Sequence, residues 1–206
     1  MESPEDFEVT VNGSRLSGEP VGWWVDPCFR RLPLPASMLR CGRNEIVLKT
    51  EFTEDKNLEA LYLTGDFGVR LDAAGPVITE LPRKLKVGDI VNQGLPFYSG
   101  VVSYNTGIKR AATVETPSFG GACIRVRKGD SVNMIAFRPF RAKVPEGEGD
   151  IWLDVVLTRR NTFGPLHQVP ARTVIYAPGS FLSEGPSWSD AYSLVESGLL
   201  EAPVLR

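Results

Sequence analysis

The sequence predicts an all-β fold: a jelly-roll β-sandwich preceded by a partial or packed β unit. Short runs of alternating or β-branched residues recur along the chain, separated by 20 glycines and 16 prolines, which punctuate strands with turns. Helical periodicity is weak, and 57–62 and 191–196 each allow either one helical turn or a strand. A faint internal repeat adds a modular organisation.

The first strand, 7–11, reads Phe7-Glu8-Val9-Thr10-Val11. This alternation gives one buried face, and Asn12-Gly13 behind it is a hairpin turn signal. Further strands are expected over 22–25, 45–51, 60–63, 68–71, 100–104, 122–126, 132–136, 151–157, 173–176 and 192–195. The repeat links two of these stretches. Val9-Thr10-Val11-Asn12-Gly13 leads through an aromatic segment to Gly42-Arg43-Asn44-Glu45-Ile46. Later, Ile124-Arg125-Val126-Arg127-Lys128-Gly129-Asp130 leads through Phe137-Arg138-Pro139-Phe140 to Gly147-Glu148-Gly149-Asp150-Ile151. Both read as strand, turn, aromatic bridge, glycine turn and strand, the hairpin rhythm of a jelly roll. A jelly roll needs about eight strands, and 7–80 supply about five. Residues 1–85 are therefore expected to form a partial sandwich unit and 86–206 a complete domain. The boundary is expected within 72–92, where Pro76, Pro82 and Gly88 cluster.

Composition excludes several classes. The formal net charge is −2, with 23 basic and 25 acidic residues, and no basic stripe suggests nucleic acid as a partner. Apolar runs reach about seven residues, far short of a membrane span. Met1-Glu2-Ser3-Pro4-Glu5-Asp6 is acidic and polar, unlike a signal peptide, which favours the cytoplasm. Cys28, Cys41 and Cys123 form no CxxC pair, so they read as reduced packing residues. No metal or cofactor is implied. The Glu146–Asp150 turn lacks the spacing of a calcium loop.

The most informative stretch is Arg159-Arg160-Asn161-Thr162-Phe163-Gly164-Pro165-Leu166-His167, which follows the strand-like Ile151-Trp152-Leu153-Asp154-Val155-Val156-Leu157 and ends in the single histidine. Other distinctive blocks are Val11-Asn12-Gly13, Gly22-Trp23-Trp24-Val25-Asp26, Gly42-Arg43-Asn44-Glu45-Ile46, residues 58–69, Pro96-Phe97-Tyr98-Ser99-Gly100, residues 135–140 and residues 188–195. Together they span nearly the whole chain. They resemble the C-terminal galactose-binding-like β-sandwich region of large glycoside hydrolases related to family 2. In that family, "VNG" followed by "G-x-N-E-I" marks the sugar-binding sandwich. The first unit carries this signature intact. The second departs from it, with Arg127-Lys128-Gly129-Asp130 at the hairpin turn and Gly149 in the place of Asn44.

The resemblance implies an accessory module beside a catalytic (β/α)₈ barrel, with carbohydrate and that barrel as partners. Nothing in the chain itself resembles a barrel, which takes about 250 residues of alternating strand and helix. Trp23, Trp24 and Asp26 are the best sugar-binding candidates, because sugar C–H faces pack on aromatic rings and a carboxylate binds hydroxyls. Adjacent strand residues point to opposite faces, so at most one tryptophan faces solvent. Tyr98 and Tyr104, with Phe97, form a second aromatic cluster that also reads as a core edge. Arg138 either braces a carboxylate such as Asp66 or binds a hydroxyl. Asn161 and His167 either hold their own loop or contribute to a ligand rim.

No catalytic residue is assigned. His167 has no G-x-S-x-G elbow to serve. A free-standing glycosidase needs two carboxylates, about 5–5.5 Å apart for retention and about 6.5–9.5 Å for inversion. Glu45 with Glu51, Asp66 with Asp72, and Glu146, Glu148 and Asp150 are available. The expectation is thus a non-catalytic carbohydrate-binding or scaffolding module. An interaction or oligomerisation module without sugar binding is the alternative, and a small glycosidase a further one.

Overall fold

The computed structural model describes residues 1–54, 56, 58–171 and 175–206. Strand accounts for 28% of the chain and helix for 8%, so the fold is mostly β, built of several antiparallel sheets. Contacts divide the chain into Met1–Gly65 and Asp66–Arg206. The hairpin 68–79 lies within the second unit, and its Val69 N–H donates to Gly94 O at 2.8 Å.

The first unit contains β1 (Glu8–Val11), β2 (Ser14–Arg15), β3 (Trp23–Trp24), β4 (Asp26–Arg30) and β5 (Ile46–Lys49). β1 is central in a sheet ordered β2-β1-β5, with Val11 opposite both Ser14 and Ile46. Asn12 and Gly13 have φ of 52° and 82°, the two positive values that a tight hairpin turn requires. The two motifs of the repeat meet here. Asn12 Nδ2 donates to Asn44 Oδ1 at 2.8 Å and to Met38 O at 2.8 Å, while Glu45 N–H donates to Asn12 Oδ1 at 3.0 Å. Among the described hydrophobic residues of this unit, Val9 and Val11 are the buried ones.

The second unit contains β6 (Gly68–Asp72), β7 (Gly75–Thr79), β8 (Val101–Asn105), β9 (Thr113–Glu115), β10 (Phe119–Gly120), β11 (Cys123–Lys128), β12 (Ser131–Ile135), β13 (Arg141–Lys143), β14 (Trp152–Val156), α1 (Arg160–Phe163), β15 (Gly198–Leu199) and β16 (Val204–Leu205). The main sheet runs β12-β11-β14-β8, and a second runs β13-β9-β16. Alternation sends Ile124 and Val126 of β11, Leu153 and Val155 of β14, Val102 of β8 and Ile135 of β12 to one face. There they share a core with Val114, Ala142 and Leu205 of the second sheet, and with Ile90 and Leu199.

Two expected strands do not form. Residues 60–63 and 192–195 join no ladder among the described residues. In 193–195 the main chain is held by side chains of α1 instead. The strand expected over 173–176 begins in residues outside those described. The cysteines also depart from expectation. All are free thiols, but Cys28 and Cys41 are exposed and only Cys123 is partly buried. The small core of the first unit leaves them uncovered.

Candidate functional site

The residues singled out in the sequence lie in separate surroundings. Trp23 and Trp24 form β3, paired with β4 so that Trp23 faces Arg30 and Trp24 faces Asp26. Trp23 is 56% exposed. Trp24 turns the other way and packs on Tyr62 at 5.6 Å between ring centroids, and Phe29 meets the same ring edge-on at 5.4 Å. Val25 between Trp24 and Asp26 has φ of 69°, a strained value for a β-branched residue. Asp26 is committed to its own turn, accepting from Cys28 N–H at 3.0 Å. Hydrogen bonds from Cys28 hold the Asp26 carboxyl below the usual range. In return, Asp26 first, and Glu2 with it, push the Cys28 thiol up to about 12.

The loop 159–167 is a clamp. A single helical turn, α1, follows β14 directly. Asn161 is 3% exposed. Its Nδ2 donates to Val195 O at 2.7 Å and to Ser197 Oγ at 3.3 Å, and its Oδ1 accepts from Val195 N–H at 2.9 Å. Arg160 Nη2 donates to Pro165 O and Ser193 O at 3.1 and 3.3 Å. Thr162 Oγ1 donates to Phe97 O at 2.8 Å. His167 Nδ1 lies 2.9 Å from Ser189 O, and its ring packs against Tyr192 and Trp188 at 4.9 and 6.0 Å. Phe97 meets Tyr192 edge-on at 5.1 Å. Apart from the bond between Arg160 and Pro165, these hydrogen bonds tie the loop to Phe97 or to the segment 189–197.

The remaining candidates stand apart from this clamp. Tyr98 is 43% exposed and donates to Val101 O at 3.3 Å. Tyr104 is half-buried, and its hydroxyl accepts from Leu199 N–H at 3.2 Å; burial raises its pKa. Arg138 places its guanidinium over Phe140 at 5.1 Å, and among the described residues no ion pair joins it to Asp66.

A different set of side chains converges on the outer face of the main sheet. The register aligns Arg125, Asp154 and Ser103 across β11, β14 and β8, and Arg127, Trp152 and Asn105 in the next row. Asp154 is only 4% exposed although it faces away from the core. Arg127 grips it through Nε at 3.0 Å and Nη2 at 3.3 Å, and Arg125 Nη2 stands 3.9 Å away. Burial alone would raise the pKa of Asp154. Hydrogen bonds from Arg127 and Ser103, and the charges of Arg127 and Arg125, outweigh burial and hold it below the usual range. Arg127 also lies over the Trp152 ring at 5.3 Å. Arg125 Nε is buried without a hydrogen-bond partner. Asn105 Nδ2 donates to Asp150 Oδ2 at 3.0 Å.

This face presents an indole, two guanidiniums, a carboxylate, a hydroxyl and a carboxamide on neighbouring strands. Its carboxylate is held as an anion by arginine, and its donors and indole lie side by side on adjacent strands. The sequence signals were present but uncombined. Arg-x-Arg at 125 and 127 and Trp-x-Asp at 152 and 154 each place two polar or amphipathic groups on one face of a strand. Their alignment depends on the strand register, which neither run contains. Among the described residues no group of histidine, cysteine, aspartate and glutamate could hold a metal ion. Compared with known proteins, the chain matches no protein-family model, no curated protein and no solved structure.

Proposed function

We propose that the chain is a non-catalytic carbohydrate-binding module of a glycoside hydrolase. In this reading the second unit is a jelly-roll, galactose-binding-like sandwich whose halves are the β12-β11-β14-β8 and β13-β9-β16 sheets, and the sugar lies on the outer face of the first. The carrying observation is the aligned set Trp152, Arg127, Arg125, Asp154, Ser103 and Asn105. A glycan would set its hydroxyls against the Arg125 and Arg127 donors and Asn105, and its C–H face against the exposed part of Trp152. The resemblance of 11–13, 42–46 and 159–167 to the accessory region of family 2-related enzymes supports the same assignment, with a catalytic barrel as the partner domain.

The test is calorimetric titration of the whole chain with a panel of neutral and acidic oligosaccharides. Saturable binding that Trp152→Ala abolishes and Trp23→Ala leaves intact supports the sheet face. Loss with Trp23→Ala alone moves the site to β3. No binding by the folded protein across the panel rejects carbohydrate recognition. A scaffolding role is the second reading. It is favoured by the apolar side chains that the first unit exposes, among them Phe52, Leu58, Leu61 and Leu63 at 66%, 70%, 44% and 49%.

A further inference from the structure

β8 is an edge strand: among the described residues it pairs with β14 on one side only. Thr106 N–H donates to Ile151 O at 3.1 Å, and Leu157 N–H to Gly100 O at 3.0 Å. Residues 100, 102, 104 and 106 therefore direct their main-chain groups toward β14, and residues 101, 103 and 105 direct theirs outward. Among the described residues no backbone bond uses Ser103 N–H, Ser103 O, Asn105 N–H or Val101 N–H. Val101, Ser103 and Asn105 are all exposed. Along this edge lies a groove of about 910 Å³, lined also by 82–85, Val87, Trp152, Pro203 and Leu205. Its apolar lining includes Leu85, Val87, Val102 and Leu205, Arg83 and Lys84 also line it, and no carboxylate does so among the described residues.

We propose that this groove receives an extended segment of a partner polypeptide, added to β8 as a fifth strand of the main sheet. Val101 N–H, Ser103 N–H and O, and Asn105 N–H repeat at the spacing of another extended backbone, which a sugar or a helix does not match; Val101 O is already met by the Tyr98 hydroxyl. The apolar walls take the segment's alternate side chains. Arg83 and Lys84 select a segment with a carboxylate near its end. The groove shares Ser103, Asn105 and Trp152 with the glycan face, but the strand reading rests on the outward main-chain groups of β8 and not on glycan binding.

The probe is an acetylated, amidated octapeptide, Asp-Val-Thr-Val-Thr-Val-Thr-Asp, carrying a fluorophore and titrated against the whole chain by anisotropy. Main-chain bonding tolerates sequence, so a peptide of this pattern suffices. Saturable binding is expected, with slowed amide exchange at Ser103 and Asn105. Val101→Pro removes an outward N–H and spares the β14 ladder; Val87→Glu places a negative charge in the groove. Each should weaken binding by about tenfold or more with an unchanged melting temperature. If Val101→Pro fails to fold, Val87→Glu alone decides. Absence of saturable binding, or binding that leaves Ser103 and Asn105 exchange unchanged, overturns the proposal. An oligosaccharide that by itself slows Ser103 and Asn105 amide exchange would assign the groove to the glycan instead and overturn the proposal equally.

Discussion

The two units use one plan and finish it differently. In the first, β1 sits between its hairpin partner β2 and the later strand β5; in the second, β11 sits between its hairpin partner β12 and the later strand β14. In both, the hairpin turn meets the glycine turn that precedes the later strand. In the first unit the asparagine side chains of residues 12 and 44 make that contact. In the second, main chain approaches main chain, and a Cβ on Gly147 would stand 2.5 Å from Lys128 O. The layers built on these three strands differ more. The second unit adds β8 and a second sheet, and eleven of its described hydrophobic residues are buried in one cluster. The first unit buries Val9 and Val11 and leaves Ile46 and Val47 of β5 at 42% and 45% exposure. The ladder can thus be set by turns and register alone, but burial requires a second layer.

The comparison breaks most sharply in the core. Leu153→Ala should cost the second unit about 3 kcal/mol, whereas Val11→Ala should cost the first about 1–2 kcal/mol. Urea melts with probes in each unit check this; equal losses in one shared transition would show that the units do not melt separately. Asn161→Ala comes next. It strands the Val195 N–H and C=O and should cost about 2 kcal/mol, with faster amide exchange across 193–197. A Val195 amide as protected as before would show that Asn161 does not hold this segment.

Acid sensitivity should also divide the units. The folded pKa of Asp154 is depressed, so its contribution is complete above the unfolded value of about 3.9 and is lost as pH falls through the folded value. Asp154→Asn should flatten the fall in second-unit stability below about pH 4. An identical acid limb in wild type and variant would show that Asp154 carries none of it. Smaller still is Gly149→Asn, which copies the asparagine of the first unit's turn. Gly149 has φ of 86° and open space around its Cβ position, and asparagine tolerates this region. The change should stay within about 1 kcal/mol, and a larger loss would deny the equivalence of the two turns.

Much of this fold is legible in the sequence. Val9, Val11 and the 12–13 turn follow from alternation and turn chemistry. So do the strands around 124–126 and 151–157, since β-branched runs bounded by glycine leave few other outcomes. The short partners β9, β13 and β16 are not legible. Each has two or three residues and exists because a sheet edge or core supplies its register. The residues 191–196 show the reverse error: Tyr192 packs against His167 and Phe97, and the side chains of Asn161 and Arg160 hold the main chain in place of a ladder. Asp154 is the instructive case for the site. Within Trp152-Leu153-Asp154-Val155 it reads as a charge interrupting a core strand. It is tolerated because β11 brings two arginines alongside, a fact of pairing between segments about 30 residues apart.

The carboxylates around Cys28 have one practical outcome. Thiol reagents attack the thiolate, and a thiol held to about 12 offers almost none at neutral pH despite its exposure. Cys41 is exposed and Cys123 is partly covered inside the second unit. A brief maleimide pulse on the folded chain should therefore mark Cys41 before Cys28, although both are exposed, with no engineered label required.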